Sequence, residues 1–123
     1  MGHSLGARVA YYLLEALSTK SKARVHRAYL LGGAVGKDDD DGWTAAIKAI
    51  RSTGKLYNCY TGNDKILEHL YRNVTARRSY PIGLAQIPIS SYKLKNIDVS
   101  PWVSGHTMHK EALPSILRRL HRV

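Results

Sequence analysis

Gly2-His3-Ser4-Leu5-Gly6 stands at the head of the chain, and the reading of these five residues decides the fold. The Gly-x-Ser-x-Gly spacing is that of a nucleophile elbow, a tight turn that lifts a serine between a strand and a helix. The glycines have a steric reason: a Cβ at either flanking position would crowd a serine held in a strained backbone conformation. An elbow also demands a helix directly after the serine. Leu5, Val9, Leu13 and Leu17 recur every four residues, with Ala10 and Leu14 beside them. That spacing predicts an amphipathic helix with those side chains on its core face. Ala7, Ala10 and Ala16 favour helix, and the polar run Ser18-Thr19-Lys20-Ser21 ends it. The strand that should precede the serine is missing, since only Met1 comes before Gly2. A helix that merely happens to be capped by serine would carry the same residues.

At 123 residues the chain has room for one domain. Its 44% hydrophobic content makes it a folded rather than a disordered chain. No apolar run approaches the roughly 18 residues that span a membrane, and no leader follows Met1, so a cytoplasmic location is expected. The single cysteine, Cys59, forms no internal disulfide; in an apolar strand it is expected to be a buried, inert thiol. Asn73-Val74-Thr75 is a glycosylation sequon with meaning only in a secreted chain. The net charge of +10 is spread along the sequence, with clusters at Arg77-Arg78, Lys93/Lys95 and Arg118-Arg119/Arg122. Spread charge of this kind reads as a solvated surface. No nucleic-acid motif accompanies it, and the eight tyrosines are too scattered for a base-stacking platform.

Along the chain, Val25-His26-Arg27-Ala28-Tyr29-Leu30-Leu31 reads as a buried strand ending at Gly32-Gly33. Asp38 to Asp41 form an acidic loop without calcium-loop spacing, and Asp41 is a candidate N-cap for a helix from Trp43 to Ser52. Gly54 is read as its terminator. Lys55 to Tyr60 is a β-forming run closed by Thr61-Gly62-Asn63-Asp64. A helix follows, with Ile66, Leu67, Leu70 and Tyr71 at helical spacing. Residues 73–94 are irregular, Asn96 to Val99 is a weak strand, and a terminal helix runs to about Leu120 with Pro114 in its first turn.

Strands that alternate with helices predict parallel strands with right-handed crossovers. The expected fold is α/β, a three-layer α/β/α arrangement around a short parallel sheet. Reactive groups in such sheets lie beyond the carboxyl ends of the strands. Ser4, Asp64 and His106 all fall at such ends, in the chain order Ser, Asp, His.

With these residues in place, the chain resembles the C-terminal half of an α/β-hydrolase. The Gly-His-Ser-Leu-Gly-Ala form is similar to that of lipases. Closer still, Gly2 to Arg8, Tyr29 to Gly32, Asn58 to Leu67 and Val99 to His106 resemble a little-characterised hydrolase-like family. That family includes the transmembrane and coiled-coil domain proteins and bacterial relatives. The likeness covers nearly the whole chain and is weakest over residues 73–94. It implies one partial domain over residues 1–123, holding the last strands of a fold that has about eight. The chain therefore reads as a fragment, a shortened product or a half-domain that awaits a partner.

The resemblance implies a serine esterase or lipase acting on an ester or lipid substrate, with no cofactor and no metal. Ser4 would attack the carbonyl, His106 would carry its proton, and Asp64 would fix the imidazole tautomer. The backbone N–H of Leu5 would be one oxyanion donor. The second normally comes from a loop far upstream, and loss of one donor costs about 10²–10³ in rate. Gly2, His3, Gly6 and Asn63 would shape the site. Asn63 and Asp98 compete with Asp64, which also fits as a helix N-cap, and His109 competes with His106. A metal held by His106 and His109 lacks an evident third ligand. A non-catalytic interaction module of the same ancestry is the alternative. It would self-associate or bind a partner chain through the unpaired edge of the strand at Val25 to Leu31, or bind a partner through a basic face. A weak contact with anionic membrane through Arg118, Arg119 and Arg122 is a further expectation.

Overall fold

The structure, a computed structural model, describes residues 1–20, 22–37, 40–74, 80–105 and 108–121, with 40 and 70–74 as backbone alone. Its elements run β1 (Gly2–His3), α1 (Leu5–Leu17), β2 (Val25–Leu31), α2 (Asp40–Lys48), β3 (Ile50–Tyr60), α3 (Lys65–Val74), β4 (Leu94–Asp98) and α4 (His109–His121). The four strands form one sheet in the order β1-β2-β3-β4, and every pairing is parallel. The expected α/β architecture with a short parallel sheet is the observed one.

Side chains alternate across each strand, and the two faces of the sheet bury separate clusters. Ala28, Leu30 and Leu56 meet Ala7, Tyr11 and Leu14 of α1 and Trp43, Ala46 and Ile47 of α2. Leu31, Tyr57 and Cys59 point the other way, onto Ala112, Ile116 and Leu120 of α4. The joint between α1 and α2 is aromatic, with the Tyr11 and Trp43 rings 4.4 Å apart. On the opposite face Tyr29 and Tyr57, partners in register, stack at 5.0 Å. The Tyr29 hydroxyl lies 2.9 Å from His121 Nε2, near the end of α4.

Residues 80–92 have no regular element, yet they are strapped across the sheet by amides. Asn58 and Asn96 are register partners on β3 and β4. Asn58 Nδ2 donates to Asn96 Oδ1 and to Ala85 O, both at 3.0 Å. Asn96 in turn accepts from Ile87 N at 2.8 Å and donates to Ile87 O at 3.1 Å. Ile82 and Ile87 are thereby held in the α1/α2 core.

Several expectations are corrected. A strand does precede the serine, but it is two residues long and pairs only with Leu30 and Leu31. The core face of α1 carries Ala7, Tyr11 and Leu14, while Leu5, Val9 and Leu13 face outward; the period-four ladder follows the wrong stripe. Asp41 lies inside α2 rather than capping it, and α2 ends at Lys48. Ile50 to Gly54 belong to β3, because Val25 pairs with Ile50 and extends the ladder. Pro114 is the sixth residue of α4, past the first turn. Leu70, Tyr71, the sequon at Asn73 to Thr75, Arg77-Arg78, Asp38, Asp39, His106 and Arg122 were all given roles by the sequence, and those readings lie outside the described residues or side chains.

Candidate active site

Ser4 occupies the N-cap position of α1, yet it does not behave as a cap. Its backbone is at φ 57° and ψ −119°, and its side chain makes no capping hydrogen bond. A capping residue normally sits in the β region and lends its oxygen to the first turn. Ser4 is the one described non-glycine residue with positive φ, a conformation that costs on the order of 1–3 kcal/mol. Three backbone bonds hold it there. Ser4 N donates to Leu31 O at 3.0 Å, and Ser4 O accepts from Ala7 N and Ala34 N, both at 3.1 Å.

The two glycines of the motif are not equivalent. A Cβ on Gly2 would stand 2.5 Å from Gly6 O and 2.8 Å from Ala7 Cα, whereas a Cβ on Gly6 meets nothing within 4 Å. Crowding therefore dictates glycine at position 2 only, which corrects half of the steric expectation. Leu5 begins α1, so its N–H is among those the helix leaves without an internal acceptor.

The carboxyl ends of the strands are knitted together beside Ser4. Gly32 N donates to Cys59 O at 3.2 Å, Gly83 N to Gly33 O at 3.0 Å, and Thr61 N to Gly83 O at 2.9 Å. Val99 N donates to Tyr60 O at 2.8 Å, and the Thr61 and Ser100 hydroxyls are 2.8 Å apart. Asp64 follows directly and is fully buried. Its Oδ1 accepts from Leu67 N at 2.9 Å, so the capping role weighed from the sequence is present. Asn63 is exposed at the surface of this turn, with Nδ2 donating to Val103 O at 3.4 Å. Asp98 is also exposed and closes its own turn by accepting from Ser100 N at 2.9 Å.

His106 lies outside the described residues. The histidine that the structure brings in is His109, the first residue of α4. It is fully buried, and its ring centroid is 5.0 Å from that of His3, the residue before the serine. Gly32, at φ 52°, makes room for it: a Cβ there would stand 2.7 Å from His109 Nε2. The sequence marked Gly32 only as the end of a strand; Gly33 beside it makes room for Ile82 instead. Cys59 is buried one strand away, and burial pushes its thiol up to about 12, far from a reactive thiolate. Among the described residues no three potential ligands gather to hold a metal, and no helix is long and apolar enough to cross a membrane.

The chain is 36% identical over 118 residues to an uncharacterized membrane protein of Schizosaccharomyces pombe, a match covering 95% of this chain and 15% of that protein. It is 37% identical over 124 residues to the transmembrane and coiled-coil domain-containing protein STS1 of Oryza sativa subsp. japonica, covering 98% and 18%. An uncharacterized membrane protein of Caenorhabditis elegans is 29% identical over 120 residues, covering 95% and 19%. The chain thus spans less than a fifth of the length of each of these relatives. No solved structure matches it. Residues 1–122 match the family described as a protein of unknown function, DUF726, and the chain belongs to that family.

Proposed function

We propose that this domain carries a serine-hydrolase site of esterase or lipase type, with Ser4 as nucleophile. The observation that carries the reading is the backbone of Ser4: positive φ at a strand-to-helix junction, with no capping bond from the side chain. A serine that only started a helix would have no use for that strain. In the proposed mechanism Ser4 Oγ attacks the carbonyl of an ester while a histidine takes its proton. The oxyanion forms against the N–H of Leu5. The tetrahedral species collapses as the histidine gives that proton to the departing alcohol, and water then releases the acyl group by the same steps. His106 is assigned as the base and Asp64 as its orienter. His109, buried beside Gly32 and His3, is the rival base that geometry supports.

The test is intact-mass detection of fluorophosphonate labelling. One adduct is expected, absent in Ser4→Ala and reduced by about 10³-fold or more in the variant that lacks the base. Loss in His106→Ala with retention in His109→Ala keeps the assignment; the reverse moves the base to His109. A second reading, a non-catalytic interaction module of the same ancestry, is favoured by the exposed side chains of Leu5, Val9 and Leu13. A folded chain that takes no label would replace the first reading with the second.

A further inference from the structure

Parallel strands joined by helices all start at one end of the sheet, and the helices between them end there. The topology therefore gathers charge that is scattered along the sequence. Lys20, Lys22 and Arg24 lie between α1 and β2, Lys48 closes α2, Arg51 is the second residue of β3, and Lys93 directly precedes β4. Lys93 is half-buried and the other five are exposed. Among the described residues Glu15, near the end of α1, is the one acid at that end. Asp41, Asp64, Glu68 and Glu111 sit in or just before a first helical turn, and Asp98 ends β4, so these five acids lie at the opposite end, on the side of Ser4.

Helix termini do not account for the basic end. A cation in a last turn answers the helix dipole, but of these six residues only Lys48 occupies such a turn, and the last turn of α1 holds no basic residue. Lys93 Nζ donates to Ile50 O at 2.8 Å, which ties the starts of β3 and β4 and uses one of its three N–H groups. A cleft of about 270 Å³ opens beside it, between α2 and residues 89–93. Ile47 and Ile89 line it together with Thr44, Ser91 and the two cations Lys48 and Lys93. Next to the cleft Tyr92 is 64% exposed. Lys55 Nζ donates to Tyr92 O at 2.7 Å and lies 5.3 Å from the centre of its ring. A tyrosine among cations suits a membrane interface, where one end of the ring is apolar and the other wet.

We propose that the end of the sheet at which the strands start is a docking surface for an anionic phospholipid bilayer, and that the cleft between Lys48 and Lys93 takes a headgroup phosphate. The six cations are complementary to the negative surface of such a bilayer. Ile47, Ile89 and Tyr92 offer apolar surface to the glycerol and acyl carbons behind the phosphate. A nucleic acid would meet the same cations, but Tyr92 alone is no stacking platform for bases, and loop ends supply no helix or ribbon to enter a groove. The proposal does not depend on the chemistry of Ser4. Docking through this end holds Ser4 on the side of the sheet that faces away from the bilayer.

The test is cosedimentation of this chain with phosphatidylcholine vesicles, either neutral or with about one lipid in three replaced by phosphatidylserine. The chain should bind only the acidic vesicles and should release them at high salt. Lys22→Glu with Arg24→Glu reverses two charges at the basic end, and Lys65→Glu with Lys110→Glu makes the same change in net charge at the Ser4 end. The first pair should weaken binding by about tenfold or more and the second by no more than about twofold. Glutamine replaces glutamate in both pairs if circular dichroism shows that a reversal unfolds the chain. Within the cleft, Lys48→Gln should cost about fivefold or more, and Lys20→Gln, outside it, less. Absence of binding to acidic vesicles, equal binding to neutral ones, equal losses from the two pairs, or tighter binding to single-stranded RNA at the same phosphate concentration would each overturn the proposal. Equal losses from Lys48→Gln and Lys20→Gln would overturn the cleft as the seat of the phosphate.

Discussion

At Ser4 the chain spends conformational energy on one residue, and the neighbours that make this possible can be separated by substitution. Gly2→Ala places a methyl 2.5 Å from the Gly6 carbonyl oxygen, which is backbone and cannot rotate away. We expect a loss of about 1–3 kcal/mol, read by urea denaturation, together with loss of fluorophosphonate labelling. Gly6→Ala enters open space inside a helix and should leave stability unchanged or raise it by up to about 1 kcal/mol. Equal losses for both would mean that the turn is held by something other than this contact. Cys59 offers a second test at this scale. Burial raises its thiol from 9.0 to about 12, so above pH 9 the unfolded chain releases a proton that the folded chain retains. The stability this group contributes is therefore complete below pH 9 and falls by about 1.4 kcal/mol per pH unit as pH rises toward 12. Cys59→Ala should show a shallower decline over that window in pH-dependent denaturation. Parallel slopes would show that the thiol is not what titrates.

Elements in this fold are fixed unequally by local signals. The strand at Val25 to Leu31 and the β-forming run at Lys55 to Tyr60 were legible because their inner stretches, Ala28 to Leu31 and Leu56 to Cys59, pack on both faces of the sheet and, Asn58 apart, are apolar or aromatic. The phase of α1 was not. Alternate stripes of that helix are both apolar, and only the sheet decides that Ala7, Tyr11 and Leu14 go inward. The boundary between α2 and β3 was hidden in the same way: Gly54 reads as a helix stop, but here it lets the His26 carbonyl of the neighbouring strand come close. Ser4 and Asp64 were readable as strand-end residues, whereas the approach of His109 to Gly32 depends on how α4 docks. The strap over residues 80–92 was unreadable because it depends on two amides 38 positions apart. Asn96→Ala removes the acceptor for Ile87 N and the donor for Ile87 O. We expect destabilisation by about 2–3 kcal/mol and faster hydrogen exchange at the Ile87 amide. Exchange that stays slow would mean the strap is held by the apolar packing of Ile82 and Ile87 alone.

For the whole molecule, the sheet is shared between two cores that do not touch through side chains. Trp43 is buried in the α1/α2 face, and Trp102 packs against the α4 face, so each face carries its own fluorophore. Strands β2 and β3 contribute alternate side chains to both cores. Removing either helical layer would expose one side of those strands to water and cost the other layer its platform. The two faces should consequently unfold together. Trp102→Phe leaves Trp43 as reporter and Trp43→Phe leaves Trp102, and in each variant the urea curve by fluorescence should coincide with that by far-ultraviolet circular dichroism. The Trp43→Phe midpoint will be lower, because that indole fills a buried site and donates to Gly36 O at 2.9 Å; the comparison is made within each variant, so this shift does not affect it. A Trp102 transition that precedes the loss of secondary structure would mean that α4 detaches first. His109 would then leave the side of Gly32 before the sheet melts, and the site beside Ser4 would be less stable than the fold that carries it.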